Sequence, residues 1–240
     1  ELEAGNIFLC DYSMLAGIGT STDDSGTRQM TPCLALYHVD RSADERAPLM
    51  PLAIQLSLTA DPSMVFTPDQ GSRWLLARMV AQCADVTHHE MGPHLLRTHF
   101  MQETVAVALW RNLSDRHPLH VLLMPHTSIL LFNNYEGRKL LINEGGAVDS
   151  LMAGGVASGI STLLRDYLIN PGSPAPGWNL MDWDLPKDIE RRAVEGIPDY
   201  PFRDDGMLLW EAIHDFVTGY VDLYYTDDGA VAADSEVAAW

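Results

Sequence analysis

Short apolar runs alternate with polar segments rich in glycine and proline over residues 1–66. Runs of this kind, bounded by turn-forming residues, are typical of β-strands. The pattern predicts strands over residues 7–12, 33–37 and 52–56. From residue 72 onwards the apolar positions recur at helical spacing, so we expect a mainly α-helical fold with a few short strands near the N-terminus.

The longest helical run extends from residue 74 to residue 113 and is apolar on two sides, which indicates a central, buried helix. Residues 117–126 are expected to form a short connection. Further helices are predicted over residues 138–142, over residues 148–168, from Leu185 and from Asp205. In the last of these helices apolar residues recur every three or four positions as far as Tyr224, and we expect that stripe to pack in the core.

Three histidines, His89, His94 and His99, lie five residues apart inside the longest run. On an ideal α-helix five residues turn the chain by about 500°, which would leave neighbouring histidines about 140° apart. A wider turn of the π type, with i→i+5 hydrogen bonds, brings them close to one face, and such turns are frequent at functional sites. The spacing therefore predicts a distorted helix that carries a metal site.

Charge composition restricts the partners. The chain has 15 basic and 33 acidic residues among 240, a formal net charge of -18. Nucleic acids and anionic lipid surfaces attract basic proteins, so we expect no nucleic-acid partner and favour a neutral or apolar ligand. No stretch is long and apolar enough for a membrane span, and the first residues lack the pattern of a signal peptide. The compartment stays open, with the cytoplasm slightly favoured.

The pattern His89-Glu90-x3-His94-x-Leu96-Arg97-Thr98-His99-x3-Glu103 resembles the iron-binding signature of lipoxygenases. Further blocks that resemble this family occur in the family's order, at residues 1–8, 51–56, 74–77, 117–119, 125–126 and 199–202. The resemblance implies non-haem iron as the cofactor, with His94 and His99 as ligands. His89 would support the site, and Glu90 is interpreted as an acceptor that orients a neighbouring ligand.

The resemblance also implies a helical catalytic domain built around the bulged iron-binding helix. Lipoxygenases insert molecular oxygen into a polyunsaturated fatty acid that carries a cis,cis-1,4-pentadiene, and they form a hydroperoxide after hydrogen abstraction at the metal. Such a fatty acid and O2 are therefore the expected partners. The protein has to hold the acyl chain still and keep the radical away from water.

Gly137, within residues 134–138, resembles the position that controls stereochemistry in the family, where glycine tends to accompany R hydroperoxides. A glycine can also be kept there for backbone reasons. The residues that resemble the apolar lining of the fatty-acid channel could equally be ordinary core; they are Leu95, Leu141, Val148, Leu151 and Met152.

We expect residues 1–240 to be part of a lipoxygenase catalytic domain, with strands and loops over residues 1–66 and a helical core over residues 72–240. The N-terminal β-barrel and the C-terminal part of the catalytic domain, with the remaining metal ligands, are expected to lie outside the chain. Another segment or a second chain would then have to supply those ligands, and the chain alone would be inactive. Pro93 departs from the family pattern, because proline removes a backbone donor directly before His94.

Two alternatives remain open at this level. The first is a zinc-type metallohydrolase with Glu90 as the base, although His89-Glu90-x3-His94 is one residue longer than the H-E-x-x-H helix of zinc proteases. The second is a non-catalytic lipid-binding fragment with an incomplete metal site. Metal analysis distinguishes the first alternative, because it would find zinc rather than iron.

Overall fold

The structure is a computed structural model that describes residues 4–18, 21–23, 26–41, 47–154 and 183–240. Its strands are β1 Ile7–Asp11, β2 Ser21–Asp23, β3 Gly26–Arg28, β4 Leu34–His38, β5 Met50–Gln55 and β6 Val65–Phe66. One antiparallel sheet has the order β1-β4-β5-β6, and β2 pairs with β3 in a separate ribbon. The three predicted strands correspond to β1, β4 and β5.

Helices dominate the described residues from position 72 onwards. They are α1 Ser72–His89, a π-helical segment Glu90–Met101, α2 Gln102–Asn112, α3 Pro118–Thr127, α4 Leu130–Gly137, a second π-helical segment Arg138–Ile142, α5 Ala147–Leu151, α6 Leu185–Arg191, α7 Pro201–Val221, α8 Asp228–Ala232 and α9 Ser235–Ala239. The first three follow one another without a break, as the long central run predicted.

Three predicted boundaries change. Most of the connection expected over residues 117–126 is helix α3, because Pro118 occupies the first helical turn, where no N–H is required, and His117 caps the start. The helix expected over residues 138–142 begins earlier, at Leu130. α7 likewise begins at Pro201 rather than at Asp205. Of the helix expected over residues 148–168, α5 is described, and residues 155–182 lie outside the described ranges.

The sheet packs against one face of α1. Ala77, Ala81 and Ala84 recur at helical spacing and are at most 7% exposed, and they share an apolar cluster with Ala35 of β4 and Ile54 of β5. Small side chains on the helix let its backbone approach the sheet closely. The sheet therefore fixes α1 directly before the segment that carries the histidines.

The same apolar cluster holds the π-helical segment. Met91 and Leu96 lie between the histidines and are each 3% exposed. The Tyr12 hydroxyl donates a hydrogen bond to Asp85 Oδ1 at 2.8 Å and so ties the residues after β1 to α1. Burial, and then the hydrogen bond with Asp85, raises the pKa of Tyr12, which keeps the hydroxyl a donor at neutral pH.

Asp234 anchors the last helix to the start of α3. Its carboxylate accepts hydrogen bonds from the backbone N–H groups of Glu236 and Val237 at the start of α9, from His117 Nε2 at 3.1 Å and from the Tyr225 hydroxyl at 2.8 Å. The hydrogen bonds from His117 and Tyr225 lower the pKa of Asp234 to about 2. His117 therefore has a structural role at this junction.

The apolar stripe of α7 does not pack in a core formed by the described residues. Leu209, Ile213 and Phe216 are 67%, 63% and 64% exposed, so the prediction that this stripe is core is wrong for the part of the chain that the structure describes. Periodicity shows that one face of a helix is apolar, but it does not identify what lies against that face. Among the described helices, none is both long and apolar enough to cross a membrane.

Candidate metal centre

The three histidines lie at the end of α1 and in the π-helical segment that follows it, where the hydrogen-bond step of the backbone equals their five-residue spacing. The predicted widening of the helix is confirmed, and it extends over the twelve residues Glu90–Met101 rather than over one turn. Pro93 lies inside this segment, and the Thr98 hydroxyl donates a hydrogen bond to the Pro93 carbonyl at 3.0 Å. Proline is accommodated where the helix has already left the regular i→i+4 pattern.

His94 and His99 converge. Their ring centroids are 5.0 Å apart, and their Nε2 atoms are 3.2 Å apart. His89 lies beside this pair with its ring centroid 6.3 Å from that of His94, and it is exposed to solvent. The structure therefore brings the two predicted ligands, His94 and His99, together. His89, the predicted supporting residue, lies at the edge of this pair.

His88 points to a different environment. Its ring is edge-on to Tyr12 at a centroid distance of 6.2 Å, and burial lowers its pKa. A half-buried histidine with a lowered pKa beside an aromatic ring is typical of a packing residue. We therefore assign His88 to the packing between α1 and the sheet.

Glu90 contacts the far side of the His94 ring. Its Oε2 lies 2.9 Å from His94 Nδ1, one turn further along the helix. An ionised carboxylate can only accept a hydrogen bond, so His94 Nδ1 carries the proton. This contact is the one expected of a residue that orients a metal-binding histidine.

His99 has a corresponding partner on α4. Asn134 Oδ1 lies 2.9 Å from His99 Nδ1, and Asn134 Nδ2 donates to the His99 carbonyl at 3.1 Å and to Glu103 Oε2 at 2.8 Å. Because the amide nitrogen faces two acceptors, the amide oxygen faces His99, and His99 Nδ1 must donate. Sequence reasoning did not identify Asn134; the available signal was a polar residue on an apolar helix, one turn before Gly137.

The two contacts leave both Nε2 atoms without protons. Each neutral imidazole has one N–H, and in both rings it lies at Nδ1. Two nitrogen lone pairs thus face each other across 3.2 Å, an arrangement that repels until a cation lies between them. Nε2 of His94 and Nε2 of His99 could act together as two neighbouring nitrogen donors to one metal ion. The pair therefore fits one edge of a metal coordination sphere.

Two imidazoles do not complete such a sphere. Within the described ranges, no group of three or more His, Cys, Asp or Glu residues could hold a metal ion. Selectivity among divalent metals depends on the full ligand set and its geometry. His94 and His99 alone could therefore supply only part of the ligand set of a metal ion.

A cavity of about 90 Å³ opens beside the histidine pair. Its lining includes three of the five residues that were predicted to line the substrate channel, Leu95, Leu141 and Val148, together with Gly137, the predicted stereocontrol position. The structure does not bring the other two to this cavity. Leu151 and Met152 line a separate groove of about 500 Å³ along α1, and Leu151 is 79% exposed.

Comparison with known proteins identifies the family. A family model described as Lipoxygenase matches residues 42–240. The chain belongs to the lipoxygenase family. Human polyunsaturated fatty acid lipoxygenase ALOX15B is 38% identical over 243 residues, which cover 100% of this chain and 34% of the relative. Mouse arachidonate 12-lipoxygenase, 12R-type, is 36% identical over 100% of this chain and 33% of its own length.

Solved lipoxygenase structures confirm the predicted fold. A calcium-dependent 11R-lipoxygenase superposes with a TM-score of 0.86 at 35% identity, over 100% of this chain and 34% of that chain. The manganese lipoxygenase of Gaeumannomyces graminis superposes with a TM-score of 0.81 at 28% identity, over 98% of this chain and 40% of that chain. The lipoxygenase chain described here thus spans about a third of the length of the curated relatives it matches.

We expect His94→Ala and His99→Ala each to lower the affinity of the chain for Co²⁺ by at least ~10-fold, because each removes one of two converging donors. His126→Ala is the matched control, since His126 is an exposed histidine on α3. Visible absorption of bound Co²⁺ during titration measures the affinity. Equal binding by all four proteins would show that the metal does not use this pair.

Proposed function

We propose that this chain is the part of a lipoxygenase catalytic domain that supplies two metal ligands, His94 and His99, and one wall of the fatty-acid channel. Residues 1–66 would form the strand and loop region of this part, and residues 72–240 its helical portion. The observation that carries the proposal is the pair of Nε2 atoms that converge to 3.2 Å beside an apolar cavity. The remaining ligands would come from a further segment or from a second chain.

Iron is the metal we favour, because the family is generally iron-dependent and imidazole suits iron. When bound, iron would supply the one-electron redox chemistry needed to abstract hydrogen from a bis-allylic carbon. A structural neighbour is named as a manganese lipoxygenase, so the two-histidine edge alone does not decide between these metals. Elemental analysis of a protein in which the remaining ligands are also present, purified from cells grown with both metals, distinguishes them.

The protein side chains have separate tasks in this proposal. Glu90 and Asn134 hold protons at Nδ1 of His94 and His99, which leaves Nε2 of each ring free to bind. Leu95, Leu141 and Val148 present an apolar wall, which would hold a polyunsaturated acyl chain and exclude water. Gly137 lies on the same wall, where O2 would reach the pentadienyl radical.

A zinc-type hydrolase fits this geometry less well. A metalloprotease glutamate acts as a general base on a metal-bound water. Glu90 instead hydrogen-bonds Nδ1, on the side of the His94 ring that faces away from Nε2. The carboxylate is thereby committed to orienting the ring.

A non-catalytic lipid-binding role would use the same apolar wall and differs from the proposed role only in that no hydroperoxide is formed. Hydroperoxide formation by a protein that contains this chain and the remaining ligands therefore distinguishes the two.

We predict that the matching third of the mouse 12R-type relative can be replaced by this chain with retention of hydroperoxide formation, measured by conjugated-diene absorbance with arachidonate. His94→Ala in this chimera should abolish activity because it removes a metal ligand, whereas His126→Ala should not. The chain alone, loaded with iron, should form no hydroperoxide. A folded, metal-containing chimera without activity, or an active His94→Ala chimera, would refute the proposal.

Gly137→Ala in the same chimera should shift the product from R towards S hydroperoxide, because the added methyl group would block one approach of O2. A Cβ at position 137 meets no atom within 4 Å, so the substitution needs no rearrangement. Alanine in a helix interior is also favoured over glycine by up to ~1 kcal/mol, so the variant should fold at least as well. Chiral chromatography measures the product; an unchanged R product would show that this position does not steer O2.

A further inference from the structure

Asn134 is the most fully bonded polar side chain near the histidine pair. It is 3% exposed, and its oxygen and both of its amide protons are in hydrogen bonds. The partners are the ring and the carbonyl of His99 and the carboxylate of Glu103. The Asn134 side chain therefore contacts both the main chain and the side chain of one residue, His99.

The orientation of this amide is determined by its surroundings. If the amide were rotated by 180°, its oxygen would face two acceptors, the His99 carbonyl and Glu103 Oε2. Buried polar groups that lose their hydrogen-bond partners in this way destabilise the arrangement. The observed orientation is therefore strongly preferred, and it presents an acceptor to His99 Nδ1.

Glu103 is itself held in place. Its Oε2 forms an ion pair with Arg138 Nη2 at 2.5 Å, and the Arg138 guanidinium lies 5.4 Å from the centroid of the Phe100 ring. An ionised Glu103 offers only acceptors, so Asn134 must turn its NH2 group towards it. Arg138 thus contacts Glu103, Glu103 contacts Asn134, and Asn134 contacts His99. These contacts link α4 and the second π-helical segment to the helix that carries the histidines.

Without Asn134, the histidine pair has a way to relieve its own repulsion. If the proton of His99 moved from Nδ1 to Nε2, the ring could donate a hydrogen bond to His94 Nε2, which lies at the hydrogen-bonding distance of 3.2 Å. The two rings would then bind each other, and a metal would have to displace that proton. Glu90 holds only His94, so it does not prevent this closure.

We propose that Asn134, oriented by Glu103 and Arg138, is a positioning residue that keeps His99 in the Nδ1–H tautomer and so prevents His94 and His99 from closing on each other through a hydrogen bond. The inference rests on the proposed function in that the metal is taken to bind between the two Nε2 atoms. It adds that the site is kept open by a residue 35 positions away from His99 on another helix.

The test is long-range 1H–15N NMR of the histidine rings in the metal-free chain at mildly alkaline pH, where histidine side chains are neutral. In the unsubstituted chain His99 should be mainly in the Nδ1–H form. Asn134→Leu has nearly the same size and no acceptor, and it should convert His99 to the Nε2–H form. It should also weaken Co²⁺ binding about 10- to 100-fold, as expected when a partner that orients a ligand is lost.

Two further variants make the test specific. Asn134→Asp keeps an acceptor near His99 Nδ1 and should retain the Nδ1–H form, with lower thermal stability because its second oxygen faces the His99 carbonyl and Glu103 Oε2. Asn134→Ser, whose hydroxyl is too short to reach the ring, should convert His99 to the Nε2–H form, and it provides the test if Asn134→Leu does not fold. The His94 tautomer, held by Glu90, should not change in any of them. Circular dichroism checks the fold.

An Nδ1–H form of His99 that survives in folded Asn134→Leu or Asn134→Ser would overturn the inference and leave Asn134 with a merely structural role between helices. So would an Nε2–H form in the unsubstituted chain. Because this readout needs neither substrate nor activity, it is independent of the chimera experiment, which can fail without affecting the tautomers.

Discussion

The opposition of two nitrogen lone pairs across 3.2 Å is the constraint on which the rest of this structure depends. The arrangement is unfavourable by itself, so the surrounding protein must hold both rings in place. Glu90 holds one ring from the same helix, and Asn134 holds the other from α4. The π-helical backbone is what allows two rings five residues apart to meet at all.

The fold supplies the rigidity that this pair needs. α1 packs on the sheet through small residues, and Met91 and Leu96 bury the π-helical segment in the same cluster. On the opposite side, α4 presents Asn134 to the histidine pair and, within one turn, Gly137 to the cavity. A shift of α4 would therefore move the partner of the His99 ring and the cavity wall together. In the proposed function, metal binding and oxygen access would both depend on the position of this one short helix.

Much of this arrangement is visible in the sequence, because local spacing determines it. The five-residue repeat of His89, His94 and His99 predicts the widened helix, and apolar alternation predicts β1, β4 and β5. α3 was missed because Pro118 and Pro125 give that stretch the composition of a connection, although proline in a first turn is compatible with a helix.

Features that depend on long-range contacts could not be predicted in this way. Asn134 meets His99 across 35 residues, and no periodicity reports such a contact. Leu151 and Met152 looked like the other channel residues, yet α5 directs them to a groove along α1. The exposed stripe of α7 shows the same limit, since a pattern reveals an apolar face and not its partner.

The most direct test of the central claim is the crystal structure of the metal-loaded chain, with anomalous scattering to locate the metal. We expect one metal ion bound by Nε2 of His94 and Nε2 of His99 at about 2.1 Å from each, with Glu90 and Asn134 still on the Nδ1 atoms. A metal held through Nδ1, by only one of these rings, or at another site while the two rings hydrogen-bond each other would contradict it.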